Sequence, residues 1–121
     1  MTERIDELMI TNLLQVFGER DAARRRAVIA ETYTADVVFA DPDGSVTGHD
    51  ALDAKAQALL DAAPGFVFAA DGVVRQSQDL GHLAWTFGPA GGDPVAAGID
   101  VAVVEEGRIA RLWTLLTPGP S

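Results

Sequence analysis

Two aspartates are the residues of this sequence best suited to chemistry. Val37, Phe39 and Asp41 fall on one face of a predicted strand, because strand side chains alternate between two faces. Asp100 lies in the middle of another apolar strand, where its neighbours on the same face are small. Carboxyl groups in such different surroundings can have separate pKa values, so that one acts as a base and the other as a neutral hydrogen-bond donor.

Each aspartate also has a simpler interpretation. Asp41 precedes Pro-Asp-Gly, and aspartates in such turns often accept backbone hydrogen bonds and shape the turn. Asp43 is interpreted as a turn residue. Asp100 could be held by a buried ion pair or by a hydrogen bond from Thr114 or from a helix side chain. A charged carboxylate in mid-strand costs several kcal/mol to bury unless it is paired or protonated.

The composition narrows the class of site. There is no cysteine, which excludes thiolate nucleophiles and cysteine-ligated metals. His49 and His82 lie apart from any acidic cluster, so we expect no metal site and no cofactor. A formal net charge of −9 disfavours nucleic acid and anionic membranes as partners. No apolar run approaches the roughly 20 residues of a membrane helix, and a cytoplasmic location is expected.

The elements that must position these residues can be predicted in order. Thr2 can cap a first helix that ends at Gly18, and Asp21 caps a second helix that runs through Tyr33, with arginines 24–26 on a solvated or salt-bridged face. A short return strand near residue 46 precedes a third helix, which ends before residues 64–65. Strands then follow over 66–70, with a possible extension to 78, and over 82–87, 95–105 and 108–116. Three helices and an antiparallel meander predict one α+β domain over residues 1–121.

The strand pattern also predicts a lined space. Leu83, Trp85 and Phe87 share one side of their strand, and small residues surround Asp100 on the next. Small side chains beside a carboxyl indicate a face that leaves room for something else. Trp85 and Phe87 can pack in the core or form a pocket wall that stacks on an aromatic ligand.

With these elements in place, the sequence resembles the nuclear transport factor 2-like superfamily, in its SnoaL-like polyketide cyclase and ketosteroid isomerase branch. The matching stretches are residues 33–44, 48–52 and 98–109. The resemblance implies a cystatin-like roll, in which a cone-shaped, curved antiparallel sheet wraps around three helices and an apolar cavity. It implies a homodimer through the outer face of the sheet, where Ile109, Arg111, Trp113 and Leu115 would lie. The cavity would be lined by Leu13, Phe17, Phe39, Leu83, Trp85, Phe87, Leu112, Thr114 and Leu116.

The resemblance also implies roles for the aspartates. Asp41 matches the general base of the ketosteroid isomerase pattern, and Asp100 matches the aspartic acid that is held protonated to bind the enolate. The pattern's first-helix tyrosine is missing, since Leu13 stands near that position and the one tyrosine is Tyr33.

Three functions follow as expectations. The first is cofactor-independent isomerase, cyclase or dehydratase chemistry on an apolar carbonyl compound, by proton transfer through the aspartates. The second is a non-catalytic module that binds a small apolar or aromatic molecule or forms a dimer. The third is epoxide hydrolysis, which in similar family members uses an Asp-Arg-Asp relay, with Arg75 as the arginine.

Overall fold

All the described helices begin in the first half of the sequence. The computed structural model describes residues 4–117, so the predicted cap at Thr2 lies outside the described residues. Helix α1 (Ile5–Thr11) continues into a π-helical segment (Asn12–Phe17), followed by α2 (Ala22–Thr32) and, after the first two strands, by α3 (His49–Ala62). Asp21 caps α2 as predicted, since its side chain accepts a hydrogen bond from the Arg24 backbone N–H.

Seven strands form one sheet. They are β1 (Tyr33–Asp41), β2 (Gly44–Thr47), β3 (Phe66–Ala70), β4 (Arg75–Ser77), β5 (Leu80–Pro89), β6 (Ala96–Glu105) and β7 (Arg108–Thr117). The strand order is β2-β1-β7-β6-β5-β3, and β4 pairs with β5 beyond the end of β3. The predicted α+β class, with a curved sheet around three helices, is confirmed.

One pairing differs from the antiparallel prediction. Strands β1 and β7 run parallel, so the sheet is mixed. Tight turns in the sequence predict only the direction of strands that they join directly. Since β1 and β7 lie at opposite ends of the sheet-forming sequence, no turn signal specifies their relative direction.

One predicted helix end and one predicted side-chain orientation differ from the structure. Tyr33 begins β1 instead of ending α2, and it is fully buried. Ile109 is also fully buried, although it was predicted on the outer face. The register shifts between Val103 and Val104, where Ala110 is the extra residue of β7, and such a bulge reverses which side chains point inward.

The three arginines of α2 differ in exposure, since Arg24 and Arg26 are exposed and Arg25 is buried. Arg25 is fully buried, and its guanidinium donates to Asp53 Oδ1 at 2.6 Å, to Gln57 Oε1 at 2.5 Å and to the Glu19 carbonyl at 2.7 Å. Asp53 and Gln57 belong to α3, so this arginine ties α2 to α3. The predicted salt bridge is therefore present, but Arg25 is not on a solvated face.

The outer face of the sheet is mainly apolar, although His82, Thr86 and Arg111 also lie on it, and in the described part of the chain no helix covers it. It carries Leu80, Ile99, Val101, Val103, Trp113 and Leu115. Leu115 is 53% exposed, and the Arg111 guanidinium lies 5.8 Å from the centroid of the Trp113 ring. None of the helices within residues 4–117 is long and apolar enough to cross a membrane.

Candidate functional site

Asp41 lies at the end of β1, where the β1–β2 hairpin turns. Its Oδ1 accepts a hydrogen bond from the Asp43 backbone N–H at 2.9 Å, which is the turn contact predicted from the sequence. Its Oδ2 accepts from Lys55 Nζ at 3.0 Å. Both side chains are partly exposed, Asp41 at 17% and Lys55 at 29%. Asp41 is therefore both a turn residue and one half of an ion pair.

Lys55 is a site residue that the sequence did not reveal. It lies on α3 next to Ala56, which belongs to the buried apolar face of that helix. A lysine beside an apolar stripe is ordinarily a solvated residue whose stem covers apolar surface. Only the position of α3 across the mouth of the sheet brings its ammonium group to Asp41.

Asp100 lies in the middle of β6 and is only 4% exposed. Its Oδ1 accepts from Trp85 Nε1 at 3.0 Å and from Thr114 Oγ1 at 2.8 Å. Its Oδ2 accepts from Asn12 Nδ2 at 3.1 Å. The hydrogen bond from Thr114 was one of the predicted alternatives. Among the residues that the structure describes, Asp100 is therefore hydrogen-bonded by three neutral donors and pairs with no cation.

Burial dominates the ionisation of Asp100. Removal from water raises its pKa from 3.8 to about 6, while the hydrogen bonds from Thr114, Trp85 and Asn12 act in the opposite direction. A carboxyl group with this pKa can both bind and release a proton close to neutral pH, which is the property that acid–base catalysis requires.

The small residues around Asp100 have a structural explanation. A Cβ on Gly98 would clash with the indole ring of Trp85 and would lie 2.6 Å from the carbonyl oxygen of Leu115. The indole of Trp85 therefore lies across Gly98, which brings its N–H within reach of Asp100. The space predicted from the small side chains is used in part by the protein itself.

Asn12 and Tyr33 extend the polar cluster behind Asp100. The Tyr33 hydroxyl donates to Asn12 Oδ1, and both side chains are fully buried. The pKa of Tyr33 is raised well above 10, mainly by burial and to a smaller extent by the charge of Asp100. In the sequence Asn12 is the one polar residue on the inner side of the first helix, which was the available signal for this cluster.

A pocket of about 420 Å³ connects the two aspartates, which is within the usual size range for small-molecule sites. The residues predicted from the sequence that line it are Leu13, Phe17, Phe39, Trp85, Phe87, Thr114 and Leu116, with Asp41 and Asp100. Leu83 and Leu112 were predicted to line it and instead lie in the core. Further lining residues are Pro42, Asp43, Lys55, Ala58, Leu59, Phe68 and Ala96.

Aromatic rings form much of the pocket wall. Phe68 stacks on Phe87 with ring centroids 4.2 Å apart, and it meets Trp85 edge-on at 5.3 Å. Phe17 and Phe39 form a second pair, tilted, at 5.3 Å. Surfaces of this kind favour flat apolar ligands, because aromatic rings bury large areas and stack on other planar groups.

The sheet sets the distance between the two carboxyl groups. Ala40 pairs with Trp113 across β1 and β7, and Asp100 pairs with Thr114 across β6 and β7. Asp41 is the next residue after Ala40, so the row continues through Thr114 to Asp100. Two strand spacings separate the backbones of the aspartates by about 10 Å. A small molecule can therefore contact both.

Arg75 does not belong to the pocket. It is exposed on β4 and is absent from the pocket wall, which excludes a relay of Asp41, Arg75 and Asp100 and the epoxide hydrolase hypothesis that depended on it. His49 Nε2 lies against the backbone carbonyls of Tyr33 and Thr34 instead. Within residues 4–117 there is no cluster of three or more histidine, aspartate or glutamate side chains that could hold a metal ion.

Solved structures share this architecture over almost the whole chain. An isomerase candidate of the SnoaL-like family from Agrobacterium tumefaciens is 25% identical, with a TM-score of 0.89 over 96% of this chain and 99% of that one. A candidate polyketide cyclase from Sinorhizobium meliloti is 19% identical, with a TM-score of 0.72 over 94% of this chain and 98% of that one. A protein with a cystatin-like fold from Nostoc punctiforme is 14% identical, with a TM-score of 0.71 over 96% and 90%.

The sequence comparisons give the family. No curated protein sequence matches the chain at a significant level. The family model for the SnoaL-like domain matches residues 10–112, which include the π-helical segment, α2, α3, the first six strands and both aspartates. The chain therefore belongs to the SnoaL-like domain family.

Proposed function

We propose that this protein binds a small, mainly apolar carbonyl compound and catalyses a cofactor-independent proton transfer next to the carbonyl group, as an isomerase, cyclase or dehydratase does. The observation that carries the proposal is Asp100, a carboxyl group on the wall of an apolar pocket whose pKa is raised to about 6. The similarity to an isomerase candidate of the same family supports it.

The hydrogen bonds support a different division of labour from the one that the resemblance implies. The polar neighbours of Asp100 donate to it, which suits a carboxylate that accepts a proton from the ligand. Asp41 is paired with the ammonium group of Lys55, which favours its charged form, whereas the three donors around Asp100 are neutral. We assign the proton exchange to Asp100, and the binding of the ligand's polar end to Asp41 and Lys55.

The assignment gives a concrete reaction step. The carboxylate of Asp100 removes a proton from the carbon next to the carbonyl, and the electron pair moves onto the carbonyl oxygen to form an enolate. At the mouth of the pocket the ammonium of Lys55 is the cation available to stabilise that oxygen. Return of the proton from Asp100 to another carbon would complete an isomerisation.

A second function is supported by the same contacts. Both carboxyl groups are already hydrogen-bonded or paired, and the first helix supplies no tyrosine to the pocket. A pocket of this kind can hold a flat ligand without reacting with it. A non-catalytic small-ligand binder is therefore the alternative function.

The experiment that separates these functions is isotope exchange. A panel of polycyclic and aromatic ketones is incubated with the protein in D2O, and incorporation of deuterium next to the carbonyl is followed by mass spectrometry. Asp100→Asn is expected to lose about 10² to 10⁴ of the exchange rate while ligand still quenches tryptophan fluorescence. The control is Asp36→Asn, an exposed aspartate of β1 that does not line the pocket. Binding without exchange in the wild type would leave the non-catalytic binder as the function.

We further propose that the protein pairs as a homodimer through the outer face of the sheet. That face presents Leu80, Trp113 and Leu115 beside the half-buried side chains of β6. Contiguous exposed apolar surface on a small domain indicates a contact with another protein surface. A second copy of this chain offers a matching apolar face by symmetry.

A further inference from the structure

The side-chain amide of Asn12 is shared between two buried groups. Its nitrogen donates to Asp100 Oδ2 at 3.1 Å, and its oxygen accepts from the hydroxyl of Tyr33. Asn12 and Tyr33 are fully buried, and Asp100 is 4% exposed. Among the described side chains, Asn12 is the contact of Asp100 Oδ2. Whatever happens at Oδ2 must therefore be accommodated by Asn12.

Protonation of Asp100 creates a conflict at this contact. Oδ1 already accepts from the indole N–H of Trp85 and the hydroxyl of Thr114, and an indole N–H cannot accept a hydrogen bond. The proton is therefore best placed on Oδ2. If the proton points at the NH2 group of Asn12, two donors meet in a buried place; if it points elsewhere, no other described side chain is hydrogen-bonded to Oδ2 to accept it. An unsatisfied buried donor costs about 1 to 3 kcal/mol.

A half turn of the Asn12 side-chain amide would remove this conflict. The oxygen and nitrogen of a primary amide occupy nearly the same shape, so a half turn of the amide exchanges a donor for an acceptor. After that turn the oxygen of Asn12 accepts from protonated Asp100. Its NH2 then donates to the hydroxyl oxygen of Tyr33, which can accept as well as donate. Both hydrogen bonds among these three residues are kept, while the hydroxyl proton of Tyr33 turns away from Asn12.

We propose that Asn12 is a positioning residue for Asp100: its amide turns over each time Asp100 gains or loses a proton, and Tyr33 switches from donor to acceptor with it. The device lets one buried carboxyl group exist in both protonation states without a change in the packing around it. It concerns the site of the proposed reaction but does not depend on turnover, so either proposal can fail while the other stands.

The titration of Asp100 can be distinguished from that of the other ionisable groups near it. Tyr33 stays neutral because its pKa lies well above 10. Asp41, Asp43 and Lys55 line the far end of the same pocket, and no described histidine lines it. In Asp100→Asn, any transition caused by these groups would remain, whereas a transition caused by Asp100 would disappear.

The test is a pH titration by nuclear magnetic resonance of isotopically labelled wild-type protein. The carboxyl carbon of Asp100, the side-chain amide of Asn12 and the ring of Tyr33 are followed from pH 4 to 9. All three are expected to change with one midpoint, and the Asn12 and Tyr33 signals are expected to stay constant in Asp100→Asn. A titrating Asp100 with unchanged Asn12 amide signals would overturn the proposal, and this measurement needs no variant that has to fold.

A variant gives an independent check. Asn12→Leu keeps the approximate size of the side chain but removes the donor to the carboxylate and the acceptor for the acid. The hydrogen bond that Asn12 donates to the charged carboxylate is stronger than the one it accepts from the neutral acid. Its loss should therefore raise the titration midpoint of Asp100 by about one pH unit. Gln15→Leu, an exposed position on the same π-helical segment, is the matched control and should leave the midpoint unchanged. An unchanged midpoint in Asn12→Leu would contradict the role of Asn12.

Discussion

Replacement of Asp100 by asparagine should make the protein more stable at neutral pH, and the gain in the free energy of unfolding should depend on pH. The folded state raises the pKa of this carboxyl group from 3.8 to about 6. Between these values the folded protein keeps a proton that the unfolded chain has released. The wild type therefore loses stability as the pH rises from about 4 to about 6, and above that range this group causes no further change.

The size of the effect follows from the shift. A change of about two pKa units corresponds to about 3 kcal/mol in the free energy of unfolding. Asparagine stays neutral, keeps an oxygen for Trp85 and Thr114, and can donate to the oxygen of Asn12 after the amide of Asn12 turns over. The difference in unfolding free energy between Asp100→Asn and the wild type should therefore grow by about 3 kcal/mol in favour of the variant from pH 4 to pH 7.

Urea denaturation of both proteins at several pH values from 4 to 8 measures this difference, and the contributions of all other titrating groups cancel because both proteins share them. A difference that is constant over this range would mean that the three donors fully compensate for burial. A difference that changes in the opposite direction would mean that they lower the pKa below its ordinary value. Either result would refute the reasoning about Asp100.

Two further predictions concern the helices and the outer face. Arg25→Met should lower the free energy of unfolding by about 2 to 4 kcal/mol, because it removes the buried cation of Asp53 and the donor of Gln57, although Arg26 still pairs with Asp53 at 3.1 Å. The exposed Arg24→Met should change the free energy of unfolding little, and equal thermal unfolding curves for the two variants would contradict this. Leu115→Asp places a charge on the apolar outer face and should convert a dimer into a monomer in light scattering, while a wild type that is monomeric at high concentration would contradict the homodimer proposal.

The sequence predicts most of the fold because its signals are local. Helix caps such as Asp21, the apolar periodicity of the helices and the tight turns between later strands specify elements and antiparallel neighbours. The parallel pairing of β1 with β7 and the bulge at Ala110 depend on contacts between distant parts of the chain. Local patterns carry no information about either feature, and the bulge explains why Ile109 points inward.

The candidate site could be predicted only in part for the same reason. The strand pattern brings Asp41, Asp100 and the aromatic walls to one face, and the structure places both aspartates beside one pocket. Lys55 and Tyr33 join the site through the packing of α3 and the start of β1, which no spacing in the sequence indicates. The buried Trp85 is both a part of the pocket wall and a hydrogen-bond donor to Asp100. The sequence pattern predicted the first role, and only the three-dimensional structure reveals the second.

The parallel pairing of β1 with β7 also has a consequence for how the protein folds. The hairpin of β1 and β2 is synthesised before the five strands that follow it, yet its neighbour in the sheet, β7, is the last of the described strands. Until β7 arrives, one edge of β1 is unpaired, and contacts so far apart in sequence form slowly. The end of the pocket with Asp41 is therefore expected to be completed last. During that delay the exposed edge of β1 is the part of the chain most open to pairing with the wrong partner.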